Sequence, residues 1–272
     1  MSSPELRVNA VPATPPDLWR GLTALSAALL TLMLLWAVSG ETRLVSGAPV
    51  WAKPAKFALS FVVLFATIAL VADRLSPSVR DGRPLHLIGL GMGVAMIAEM
   101  GWMIHQAARG TGSHFNFATP FETFMYTAVM GGGAVYLVLA IGVIGWIVRG
   151  DRDAALGPAL REGVWLGFLA SFALTLVIAG YMSSGTASHV GVHPEGAATV
   201  PLVGWSGVTG DLRPAHFLAL HAMQVLPLLA LWLERRRSDG IRTVRLAALG
   251  WITLTLAIFV QALAGLPLVP LG

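Results

Sequence analysis

Seven runs of about 20 apolar residues constrain this chain most, because each matches the thickness of a bilayer's hydrocarbon core. They cover 18–38, 54–72, 84–107, 120–148, 158–182, 212–233 and 243–264. The fold expected is an all-α integral membrane protein with seven transmembrane helices, one polytopic domain over residues 1–272. Composition agrees. Charged residues make up 12% of the chain, against about 25% in a soluble domain. That is too few to keep a globule of this size in water. A soluble enzyme, a disordered chain and a typical nucleic-acid binder are therefore excluded, and the net charge of +4 is small and dispersed. The chain has no cysteine. This removes disulfides, covalently attached c-type haem, cysteine-ligated iron–sulfur clusters and thiolate zinc sites.

The first run reads as a retained helix. It is long for the apolar part of a signal peptide, and Arg7 is the one basic residue before it, although Ala37-Val38-Ser39 loosely resembles a cleavage site. Proline marks most helix starts, at Pro15/Pro16, Pro54, Pro84, Pro120, Pro158 and Pro214. Its missing N–H costs nothing in the first turn. Thr14 with Asp17, and Thr119 with Glu122, have capping-box spacing. Pro227 falls inside the sixth run and predicts a kink.

Basic residues set the orientation. Thirteen of the 18 lie at one set of ends: Arg7, Arg20, Arg74, Arg80, Arg83, Arg149, Arg152, Arg161, Arg235, Arg236, Arg237, Arg242 and Arg245. Arg43, Lys53, Lys56, Arg109 and Arg213 lie at the other. The N-terminus is expected in the cytoplasm, the C-terminus outside, and the protein in the inner membrane. The last run carries no lysine, so a retinal Schiff base is excluded.

Polar residues gather at the outer ends. Of seven histidines, only His86 belongs to the cytoplasmic side. His105, His114, His189, His193, His216 and His221 belong to the outer one. Glu99 lies about 22 Å along the third helix, in the outer third of the hydrocarbon. An acid there is either paired for packing or functional. Loop 110–119 is dense in polar groups, and His114 and Asn116 are its candidates, whereas the capping box accounts for Glu122. His216 and His221 are about 140° apart around a helix, so they do not form a chelating pair on one turn. His221 and Gln224 share a face. Lys53, Lys56 and Arg213 oppose both the helix dipole and the positive-inside bias. With N-terminal amides they make an outward anion site, or they snorkel to lipid phosphates.

Three weaker patterns complete the reading. Lys53-Pro54-Ala55-Lys56-Phe57 resembles Arg213-Pro214-Ala215-His216-Phe217, which would fit two parallel three-helix units joined by the fourth helix. The outer loop 183–211 reads as a flexible lid, with His189, His193 and Glu195 as a lesser divalent-metal candidate. The stripe Met92, Met96, Met100 and Met103 packs a core or offers soft sulfur to Cu(I). The triplet Gly131-Gly132-Gly133 allows close helix packing or a flat cofactor.

Three functions compete on these residues. In a redox or metal-dependent protein, His114, His216 and His221 ligate b-type haem or another metal. Lys53, Lys56, Arg109, Arg213 and Asn116 then hold propionates or an anionic substrate, and Glu99 and Gln224 handle protons or hydrogen bonds. A transporter of a small anion or copper would use Glu99, the outer cations and the Pro227 kink, although the cytoplasmic half offers few buried polar groups. A non-catalytic membrane partner would dock an extracytoplasmic protein or lipid.

Overall fold

The computed structural model describes residues 15–45, 47–236 and 240–271. Arg7, Thr14 and Arg237 lie outside the described residues. The helices are α1 (Pro15–Val38), α2 (Ala52–Ala72), α3 (Pro77–Arg80), α4 (Arg83–Ala108), α5 (Pro120–Phe124), α6 (Gly131–Gly150), α7 (Pro158–Ser183), α8 (Arg213–Arg235) and α9 (Ile241–Leu263). A π-helical turn, Met125–Met130, joins α5 to α6. Two short hairpins pair β1 (Leu44–Val45) with β2 (Ala48–Pro49), and β3 (His189–Val190) with β4 (Gly210–Asp211). Seven helical segments are long and apolar enough to cross a membrane, with α5 through α6 forming one of them. The chain is an integral membrane protein of the inner membrane.

Hydropathy and caps fix the elements. Proline opens α4, α5, α7 and α8 at their first or second position. Thr119 caps α5, its Oγ1 accepting from the Glu122 amide at 3.1 Å. α8 runs without a break through Pro227. The α7–α8 pair is closest where side chains are smallest. A Cβ on Gly163 would stand 2.8 Å from the Leu226 carbonyl, and one on Gly167 2.8 Å from that of Ala222.

Contacts sort the helix ends into two faces. At one face Arg20 binds Asp73 (2.8 Å), the Ser76 amide donates to Asp151 (2.8 Å), Arg245 binds Glu162 (2.6 Å), and Arg161 donates to the Asp151 carbonyl. Glu234 Oε1 accepts the Leu160 amide at 2.8 Å, closing the start of α7. At the opposite face Arg43 Nη1 donates to the Ala108 carbonyl (2.8 Å), and Gln261 to that of Pro267 (2.8 Å). The first face holds the arginine-rich ends that the charge bias assigns to the cytoplasm.

Two sets of three helices pack mutually, α1 with α2 and α4, and α7 with α8 and α9, with α6 between α4 and α7. This matches the arrangement that the Lys/Arg-Pro-Ala resemblance predicts. The methionine stripe belongs to the first core: Met92, Met96, Met100 and Met103 are all buried there with Phe65 and Met130.

Candidate functional site

The starts of α2 and α8 meet at the outer face. Lys53 and Lys56 both lie within electrostatic range of the Arg213 guanidinium, and His114 within range of Lys53. Lys56 Nζ donates to the Val203 carbonyl of the outer loop (3.3 Å). The helices run parallel without packing closely along their length. Deeper in, Gln224 Nε2 donates to Thr67 Oγ1 at 3.2 Å and ties them together. Neither lysine meets a carboxylate within ion-pair distance among the described residues.

Arg213 and Arg109 differ from the lysines. Arg213 grips Asp211 through Nε (2.9 Å to Oδ1) and Nη2 (2.5 Å to Oδ2). Asp211 is 2% exposed, so this pair is desolvated on the acid's side. Burial pushes the Asp211 carboxyl up, but the Arg213 hydrogen bonds and charge, with the Ser206 and Arg213 amides, outweigh it and hold the group below its usual range. Arg213 Nη2 also donates to the Gly204 carbonyl (2.7 Å) and to His189 Nε2 (3.2 Å). Arg109 Nη1 donates to Glu122 (3.1 Å) and Gln106 (2.8 Å). Both arginines, expected as ligand-binding cations, are therefore already engaged, and an anion would find most of its charge on Lys53 and Lys56. Glu122 does more than cap, because it is also the counter-ion of Arg109.

His114 packs between Phe57 (5.3 Å between centroids) and Tyr126 (5.8 Å), and its Nδ1 shares a hydrogen bond with Ser113 Oγ (3.0 Å). Burial, and then the Lys53 charge, push its pKa down to about 3. It is thus a neutral imidazole. Asn116 serves its own loop, donating to the Gly112 carbonyl (2.9 Å) and accepting from the Ala118 amide (3.1 Å). His221 Nδ1 donates to the Phe217 carbonyl (2.7 Å) and its ring stacks on Phe217 (4.0 Å). His216 Nδ1 is buried without a hydrogen-bond partner among the described residues.

The three histidines expected to ligate a metal are not assembled into a ligand group: among the described residues no three His, Asp or Glu side chains come together in one. The same holds for His189, His193 and Glu195. His189 and His193 do face one side, stacked at 4.3 Å and 7°. His193 Nδ1 shares a hydrogen bond with the Ser206 hydroxyl (3.1 Å). Among the described residues Glu99 has neither the arginine nor the lysine partner that a packing role would supply. It faces Gly133 across the α4–α6 contact.

The outer segment read as a flexible lid is pinned at several points. β3 pairs with β4, Thr199 bridges Ser206, and the Leu212 amide donates to the Ser188 carbonyl (3.0 Å). Asp211 organises it by accepting from the Ser206 amide (2.8 Å) as well as from Arg213. Asp211 was not singled out from the sequence. A signal was present, since an Asp side chain can accept the backbone N–H two residues on, and its Oδ1 accepts the Arg213 amide (3.0 Å).

No family model and no solved structure matches the chain. The chain is similar to a part of the DNA translocase FtsK of Bradyrhizobium diazoefficiens, at 31% identity over 166 residues. That stretch is 56% of this chain and 18% of the relative. The chain thus spans less than a fifth of the relative's length. It contains no G-x-x-x-x-G-K-[ST] run; its two lysines, Lys53 and Lys56, lie in Trp-Ala-Lys-Pro-Ala-Lys-Phe.

Proposed function

We propose that this protein binds an anionic group at its extracytoplasmic face, between the starts of α2 and α8. One observation carries the reading. Lys53 and Lys56 stand in the first turns of α2 with no carboxylate in ion-pair reach among the described residues, and face the start of a second, parallel helix. Two ammonium groups at a helix start repel each other and oppose the dipole, and an anion relieves both. The Gln224–Thr67 bond ties the two helices together below, and Phe217 and His221 stand at helical spacing from Gln224 on α8. The chemistry is recognition of a carboxylate or phosphate, as a substrate, a transported anion or an anchor on a partner.

The test is titration calorimetry on the detergent-solubilised full chain at low ionic strength, with inorganic phosphate and acetate as probes. Binding of either is expected, weakened on the order of tenfold or more in the Lys53→Met/Lys56→Met variant. Equal affinity in that variant, or no binding of either probe, ends this reading.

The His216 Nδ1 favours a second reading, in which His216 ligates a b-type haem or another metal. A Soret band or stoichiometric metal in the purified protein, lost in His216→Ala, is its signature. The likeness to a DNA translocase favours a third. Here the chain is a membrane-embedded, non-catalytic unit that works beside a translocating partner, and co-purification with that partner is its readout.

A further inference from the structure

Glu99 stands apart from the outer lysines. It lies nine residues, about 13 Å, below the outer end of α4, and it is 5% exposed. Its Oε1 is buried with no hydrogen-bond partner among the described residues. The position facing it is Gly133, where a Cβ would stand 3.2 Å from Oε1 and 3.7 Å from Cγ. Gly133 lies in the first turn of α6, three residues past the π-helical turn Met125–Met130. Such turns insert into α-helices frequently at functional sites. An orphaned acid, and a helix locally rebuilt one turn before the glycine that faces it, are independent observations pointing at one region.

The charged and titratable groups on the elements packed against α4 have other partners or stand at the outer helix start. α1 carries Asp17 and Arg20 at its cytoplasmic start, where Arg20 binds Asp73 of the α2 end. α2 carries Lys53 and Lys56 at its outer start. On the fourth span Glu122 holds Arg109, Tyr126 lies against His114, Tyr136 donates to the Ile88 carbonyl (3.3 Å), and Arg149 stacks over Trp165. None of them makes an ion pair with Glu99. A carboxylate so placed in hydrocarbon is strongly disfavoured against the neutral acid.

We propose that Glu99 is an intramembrane proton-binding site, a neutral carboxylic acid held opposite Gly133. Its chemistry is that of a target for lipophilic carbodiimides. The acid O–H adds across a C=N bond of dicyclohexylcarbodiimide, with oxygen going to the central carbon and the proton to nitrogen. The O-acylisourea then passes its acyl group from oxygen to nitrogen. Nothing leaves, so Glu99 gains the whole mass of the reagent.

The test treats the full-length protein in lipid vesicles at neutral pH and maps the adduct by peptide mass spectrometry. Labelling at Glu99 should be roughly tenfold or more above that at the exposed Glu195 of the outer segment, and absent in Glu99→Gln. Infrared spectra of the unaltered protein give a second readout that needs no folded variant: a protonated-carboxyl band that shifts on 13C labelling of glutamate. Either the label or the band supports the site, and the absence of both overturns it. The outcome is independent of the lysine site, since Lys53→Met/Lys56→Met should leave Glu99 labelling unchanged.

Discussion

At the residue scale, the same charge means different things in different company. Arg213 and Lys53 look alike in sequence, each beside a proline at an outer helix start. Asp211 lies two residues before Arg213 and takes its guanidinium in a bidentate grip, the strong geometry for this pair. Among the described residues no acid does so for Lys53. His114 is a further case. Its folded pKa of about 3 lies below the ordinary 6.5, so between those values the unfolded chain binds a proton that the folded chain refuses. The stabilisation is whole above the unfolded value and is lost as pH falls toward the folded one. The melting temperature of the detergent-solubilised protein should therefore drop as pH is lowered below 6.5, less steeply in His114→Gln. Identical pH profiles for the two proteins would remove His114 as a cause.

At the scale of elements, the apolar spans were legible because hydrocarbon length and backbone hydrogen bonding leave a helix as the only open spanning structure. Their caps were legible as well: Thr119 and the prolines act where local chemistry places them. The π-helical turn in the fourth span was not legible, since Met-Tyr-Thr-Ala-Val-Met carries no breaker. The turn packs against α4. The α7–α8 contact is of the same kind. Gly163 and Gly167 are spaced as a small-xxx-small pair, but only the structure shows the facing carbonyls of Leu226 and Ala222. Gly167→Val should force the helices apart and cost about 1–3 kcal/mol, the range for overpacking. Reversible unfolding in mixed micelles measures this. Gly101→Val, with nothing within 4 Å of its Cβ, is the matched control. A loss as large in Gly101→Val would argue against close packing as the cause.

At the scale of the whole molecule, the absence of cysteine offers a direct check of orientation. Val192 in the outer segment is 85% exposed, and Arg152 lies in the loop between α6 and α7. A membrane-impermeant maleimide applied to intact spheroplasts should label Val192→Cys and spare Arg152→Cys until the membrane is opened. The reverse pattern would invert the topology. Mutual packing within each set of three helices also brings the two Lys/Arg-Pro-Ala starts to one face.

The sequence by itself determined the seven spans, their alternation, the helix starts and the face that collects the polar groups. Each follows from local hydropathy, capping or charge bias, all written within one segment. The tertiary structure alone decided which cations are matched and which are not, that three histidines on one face do not form one ligand group, and that Glu99 meets a glycine. Those outcomes depend on which side chains come opposite one another across separate helices, and pairing across helices is a property of packing that no single segment carries.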